Sequence, residues 1–206
     1  MAYTTSGATG FGIKEVADVG FYEVGSVQVD STTGAVTGTP LFVLDTLKVS
    51  TIENTAEQAD AKGGKGNAPL IIWDYGREIT ITLQDAVLTQ ETLSMMFEGN
   101  AKDATNEIVI SANTFPGTYA IVGKTFARDI NGKDSLFTWY VPKAKVNSEV
   151  TLTMEAEGDP TVFDMNLRVL RDSDGSMVKL IRDTSEDAND KALAYDPTKD
   201  FETKQG

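Results

Sequence analysis

Few side chains in this chain could carry out chemistry, and the missing ones set the limits. The 206 residues contain no histidine and no cysteine, so no Ser-His-Asp triad, Cys-His pair, histidine base or Cys/His zinc site can be built. Carboxylates, lysine, tyrosine and oxygen-ligated metals remain. Lys62-Gly63-Gly64-Lys65-Gly66 has the make-up of a phosphate-cradling loop. Its offsets are wrong: no glycine stands at the required distance before Gly64-Lys65, Gly66 occupies the Ser/Thr position, and strand-like sequence follows instead of helix. Asp129-Ile130-Asn131-Gly132-Lys133-Asp134 and Asp172-Ser173-Asp174-Gly175 gather oxygen ligands, yet neither has the sixth-position glycine or closing glutamate of a calcium loop, and both read as hairpin turns. Trp73, Tyr75, Trp139 and Tyr140 would make a sugar-stacking platform if brought together; otherwise they are core or cross-strand packing. No acidic pair stands out in an aromatic cleft, which leaves a carboxylate hydrolase without an anchor. These residues predict neither catalysis nor a cofactor nor a metal site.

Charge narrows the partners. With 31 acidic against 18 basic residues the net charge is −13 and the pI about 4.4, so the surface repels phosphates instead of gathering them by counterion release. Hydrophobic residues make up 40% and charged residues 24%, a globular balance, and no apolar run approaches the roughly 20 residues of a bilayer span. Membrane insertion is not expected. The start of the chain has no charged-then-apolar leader pattern. The length fits one β domain.

The elements that must hold these residues are mostly strands. Residues 1–12 are small and weakly patterned, predicting a flexible arm. Val19–Val29 is strand-like, with imperfect alternation, and Asp30–Gly34 is a turn cluster. Leu41–Ile52 predicts a long strand. Residues Glu53–Pro69 carry no large apolar side chain and predict a long polar loop. Leu70–Asp74 and Glu78–Gln84 predict strands, the latter with Ile79, Ile81 and Leu83 inward. One helix follows, capped by Thr89, with Glu91 at its positive end and Leu88, Leu93, Met95, Met96 and Phe97 on its apolar side, ending at Gly99. The second half predicts a meander: Glu107–Ala112, Thr118–Asp129, Ser135–Val146, Val150–Glu157, Thr161–Arg171 and Met177–Arg182, with Asn131-Gly132 a strong hairpin signal. Residues 183–206 read as an acidic mobile tail whose Leu193, Tyr195 and Phe201 offer a docking alternative onto a neighbouring subunit. The domain proper is then 13–182, and the fold class mainly β: an antiparallel β-sandwich or barrel with one short flanking α-helix.

From Leu47 to Phe97 the sequence LKVSTIENTAEQADAKGGKGNAPLIIWDYGREITITLQDAVLTQETLSMMF resembles the tail-tube (major tail) protein family of long-tailed bacteriophages, in wording over about a quarter of the chain and in layout over most of it. The resemblance implies a virion structural protein of the tail, assembled in the host cytoplasm, with no enzymatic activity. It implies hexameric rings whose subunits contribute strands to one barrel, stacked into a tube through which DNA passes without specific binding. Its partners are copies of itself and other tail proteins: terminator, baseplate and, in sheathed tails, sheath. The same layout serves terminators, adaptors and baseplate hubs, and a carbohydrate-binding β-sandwich is the alternative of another class. By this analogy the segment carrying Glu53, Glu57, Asp60, Lys62, Gly63, Gly64, Lys65, Gly66 and Asn67 is the inter-subunit loop. Open sheet edges that aggregate unless paired fit that implication, and a carboxylate-lined bore would keep DNA from sticking.

Overall fold

Nine strands rich in Val, Ile, Thr and aromatic residues join one antiparallel sheet in the computed structural model, which describes residues 10–14, 18–85, 87, 89–97, 108, 110, 112–147, 163–196 and 200–201. In chain order the strands are β1 (Phe11–Ile13), β2 (Asp18–Glu23), β3 (Gln28–Val29), β4 (Val36–Thr37), β5 (Phe42–Leu44), β6 (Leu47–Gly63), β7 (Ala68–Asp85), β8 (Thr118–Asp129), β9 (Asp134–Val146), β10 (Phe163–Val169) and β11 (Lys179–Arg182). Two helices, α1 (Gln90–Phe97) and α2 (Ala188–Leu193), accompany them. The sheet runs β5-β2-β8-β9-β10-β7-β6, with β1 added on β8 and β11 on β9, while β3 and β4 form a separate small hairpin.

The sheet curls because its connectivity forces it to. β5 and β6 lie at opposite ends of the strand order, yet only Asp45 and Thr46 join them. Three peptide steps span at most about 11 Å, so the two ends of the sheet must meet. They do so without pairing, which leaves a sandwich-like fold and no closed barrel among the described residues. At that corner Thr46 donates its hydroxyl to the buried Asp85 carboxylate. Inside the curl lie Val19, Phe21, Ile81, Leu83, Ile121, Val141, Met165 and Leu167, and α1 closes the core with Met95 and Met96. Thr89 starts α1 as its spacing predicts: its Oγ1 accepts the Thr92 N–H at 3.2 Å.

The central strands are buried on both faces, and this changes the reading of the C-terminus. The second face carries Tyr22, Ala120 and Val122, and it is covered by Val27 and by Phe201, which is 1% exposed. Gly20 makes room: a Cβ there would lie 2.7 Å from the Phe201 ring. Tyr195 donates its hydroxyl to Asp18 at 2.9 Å. Lys124 is buried under the segment and donates to the Asp200 carbonyl at 2.8 Å, 5.1 Å from the Phe201 ring centre. Burial pushes its pKa down, with Asp200 opposing. The expected mobile tail over 183–206 is therefore, in its described part, a strap docked on its own body.

Other expectations are corrected as well. The N-terminal arm ends earlier than residue 12, because β1 pairs Phe11 with Asp129 and Ile13 with Ala127; residues 1–9 lie outside the described ones. Leu41–Ile52 breaks at Asp45-Thr46 into β5 and β6. The last two strands do not form a hairpin: β10 and β11 lie along the same edge of β9, at Ala144–Val146 and Phe137–Tyr140. Residues 108, 110 and 112, within the expected strand Glu107–Ala112, are not in strand, and Leu88, Gly99 and Val150–Glu157 fall outside the described residues. The described residues contain two helices, of which α1 is the flanking one expected.

Candidate functional site

The long polar loop expected over Glu53–Pro69 is instead the outer half of a β-hairpin. Polar residues can pair in strands as long as their backbone groups find each other, and here β6 and β7 stay in register from Leu47 opposite Asp85 to Gly63 opposite Ala68. Beyond Asn54 opposite Ile79 the hairpin leaves the body and every residue of β7 up to Glu78 is exposed. Nine strand steps give this arm a reach of about 30 Å. Its tip is a four-residue turn, Gly64 to Asn67, closed by the Asn67 N–H on the Gly64 carbonyl at 3.2 Å. Gly64 and Gly66 both have positive φ, 77° and 93°, with open space around them, so backbone conformation and not packing calls for glycine there.

The arm brings the sequence-identified residues onto one element, in a definite order. Glu53 lies opposite Thr80, Glu57 opposite Tyr75, Asp60 opposite Ile72 and Lys62 opposite Pro69; Gly63 ends the strand, and Gly64, Lys65, Gly66 and Asn67 are the turn. Asp60 and Lys62 pair at 3.5 Å, and Gln58 donates to Asp74 at 2.8 Å.

What the sequence reading missed is the apolar half of the arm. Ile71, Trp73 and Tyr75 are 52%, 53% and 53% exposed and stand opposite Ala61, Ala59 and Glu57, the small alanines leaving Ile71 and Trp73 bare. The alternation of β7 would continue the buried face of Ile79, Ile81 and Leu83 into this stripe. A bulge prevents it: Thr55 to Glu57 spans two residues on β6 while Glu78 to Tyr75 spans three on β7, and Gly76 within the extra step has φ 62°. One extra residue moves every later side chain to the opposite face. The stripe therefore continues the outer face of β7, that of Thr80 and Thr82. A glycine inside a strand pattern is the sequence signal for such a bulge. Leu70 and Ile72, 70% and 55% exposed, add apolar surface on the other side.

Fully burying each such side chain is worth about 1.5–3 kcal/mol, and an isolated two-stranded ribbon is marginal in water. A contiguous exposed apolar strip on an open edge marks a contact surface. The other chemistry-bearing residues do not converge. Trp139 is buried against Gly123, Tyr140 lies under Lys179, and Trp73 and Tyr75 are out on the arm, so the four aromatics form no sugar platform. The Asp129 carboxylate is occupied by the N–H groups of Asn131 and Lys133 at 2.8 and 2.9 Å, which hold its pKa down, and Asp174 likewise accepts from Ser176. Among the described residues no group of three carboxylates could hold a metal ion, and no helix is long and apolar enough to cross a membrane.

The sequence pattern of the YomU/Tube protein family matches residues 11–101 and 96–182. The chain belongs to the YomU/Tube protein family. Membership bears out the tail-tube resemblance read from residues 47–97 and makes this a structural tube-family protein of the phage virion. The match takes in the curled sheet, α1 and the whole arm of this YomU/Tube chain, and ends where β11 ends. No curated protein matches the sequence.

Proposed function

We propose that this YomU/Tube protein is the repeating subunit of a phage tail tube: copies assembled in the host cytoplasm close into hexameric rings, and rings stack into a conduit for DNA. Its work is geometric, without catalysis. The observation that carries the reading is the arm, a 30 Å ribbon, by the strand rise, that buries almost nothing in its own chain and displays an apolar stripe. In the assembly the arm lies on a neighbouring copy, which covers Ile71, Trp73 and Tyr75. The net charge of −13 suits a conduit in which phosphates must slide without sticking. Terminator, baseplate and sheath proteins are partners at the ends and outside of such a tube.

Cutting the arm at its root is the test. Residues 56–77 are excised and Thr55 is joined to Glu78 through an Asn-Gly turn, which suits a two-residue hairpin. The expected product has unchanged circular dichroism and melting temperature and stays monomeric in sedimentation, while the intact chain forms rings or tubes in electron micrographs. An armless chain that still builds tubes sinks the role of the arm, and an intact chain that stays monomeric at millimolar concentration sinks the tube reading.

A further inference from the structure

At the root of the arm the sheet splits, and among the described residues the gap is lined by more cations than carboxylates. β10 pairs with β7 only as far as Arg168 opposite Thr80, and with β9 only from Leu167 opposite Val146. Beyond that overlap β7 and β9 diverge and leave a cleft of about 830 Å³. Among the described residues Arg77, Lys145, Arg168 and Arg171 line it, against one carboxylate, Glu78, which pairs with Arg168 at 3.0 Å. Lys145 and Arg168 are direct cross-strand neighbours, an arrangement that is unfavourable for like charges unless an anion joins them. The floor is apolar, from Val169, Leu170 and Met177. The cleft opens on the same outer face of β7 as the Ile71-Trp73-Tyr75 stripe.

The complementary surface is at the other end of β9. Lys145 is next to its last residue, and its first residue, Asp134, donates its backbone N–H to the side-chain Oδ1 of Asn189 on α2 at 3.1 Å. Twelve strand steps separate the ends, about 40 Å. Around α2, Glu186, Asp187 and Asp190 are exposed, Asp187 being held by Lys191 at 2.8 Å, and Leu193 stands 75% exposed beside them. An acidic knob with one apolar tip at one end matches a cationic cleft with an apolar floor at the other.

We propose that the cleft receives the Glu186–Leu193 surface of a second copy of this chain, with Glu186 and Asp190 against Lys145, Arg168 and Arg171 and Leu193 on the apolar floor. Such a contact is heterologous: a pair of copies keeps one free cleft and one free knob, so the association repeats head to tail instead of stopping at a dimer. It deepens the self-assembly reading and rests on it. Opposite charges at a partly exposed contact make the association salt-sensitive.

Charge exchange in the full-length chain tests it. Lys145→Glu with Arg171→Glu reverses the cleft, and Glu186→Lys with Asp190→Lys reverses the knob; all four positions are exposed. Each pair of reversals is expected to raise the concentration at half-assembly by at least about tenfold. An equimolar mixture of the two variants, and the chain carrying all four changes, is expected to assemble near the wild-type concentration, because each reversed cleft then meets a reversed knob. Variants that assemble like the wild type, or a mixture as dispersed as its components, overturn the contact and leave the tube reading standing. A wild-type chain that never assembles overturns both. If the cleft reversal leaves assembly intact but abolishes retention on duplex DNA, the cleft is a polyanion site and the proposed occupant is wrong.

Discussion

The two halves of β7 carry similar side chains and meet opposite fates. From Thr80 to Asp85 the strand has β10 on one edge, β6 on the other and the core beneath, and Ile81 and Leu83 are fully buried. From Ala68 to Tyr75 it has β6 alone, and Ile71, Trp73 and Tyr75 face solvent. Both halves pair with β6, but the outer half has neither a strand on its other edge nor a core beneath it. Pairing on one edge without cover satisfies half of the backbone groups and leaves the hydrophobic term uncollected. The inner half stabilises the subunit; the outer half holds its stabilisation in reserve for a partner.

Substitutions that separate these two kinds of stability put the comparison at greatest risk. Trp73→Ser with Tyr75→Ser is expected to abolish assembly, judged by sedimentation and microscopy, while the melting temperature of the monomer moves by no more than a degree or two. Leu83→Ala should do the reverse. It removes a fully buried side chain and costs about 3 kcal/mol, a drop of roughly 6–12 °C for a chain of this size, with residual assembly in whatever stays folded. If the serine variant loses as much thermal stability as Leu83→Ala, the arm belongs to the body and the contrast fails.

Much of the body was readable because its cues were local. Thr118–Asp129 was delimited to the residue, the Asn131-Gly132 turn closes β8 and β9, and Thr89 caps α1, since alternation, turn chemistry and capping act within a few residues. The arm was misread for a physical reason. Glu53 to Ala61 has no large apolar residue because neither face of that stretch is buried in its own chain, so the usual strand signal is absent although the hydrogen bonds are present. The face carrying Trp73 was hidden by the bulge at Gly76, which reverses alternation. The C-terminal strap was misread because two apolar residues, Tyr195 and Phe201, are enough to cap a face whose need for cover comes from distant β2 and β8. That need is visible in Thr118–Ala127, where apolar residues occupy both parities.

The strap sharpens the comparison from the body's side, because it is a covering element supplied by the chain's own C-terminal segment. Phe201→Ala is expected to cost about 2 kcal/mol, less than the usual value for a buried phenylalanine, and to leave the arm's contacts untouched. Its signature is in alkali. Burial raises the phenols of Tyr22 and Tyr195, and pushes Tyr119 up to about 12. A raised folded pKa gives stability that is whole below the unfolded value near 10 and declines above it. Lys124, with its pKa lowered, works the other way as pH climbs toward 10.5. Three phenols outweigh one ammonium, so the melting temperature should fall between pH 9.5 and 11.5. With Phe201→Ala, Tyr22 and Tyr195 become wetter and the fall should flatten. An equally steep fall in that variant means the strap does not shield them.

The smallest expected effect is at α1, where cover is given by a helix inside the body. The Thr89 hydroxyl contacts both the N–H and the side chain of Thr92, and the Thr89 carbonyl receives the Leu93 N–H at 3.1 Å. Thr89→Ala leaves the Thr92 N–H without its partner beside a fully buried residue, and loss of a cap costs about 1 kcal/mol, or 2–4 °C. Because α1 covers the core and touches neither the stripe nor the cleft, assembly per folded chain should be unchanged. Thr89→Ser, which keeps the oxygen, should restore most of the loss. A defect in assembly from Thr89→Ala at a temperature where the chain is fully folded would show that the body's cover and the arm's contacts are coupled, and the separation drawn along β7 would have to be given up.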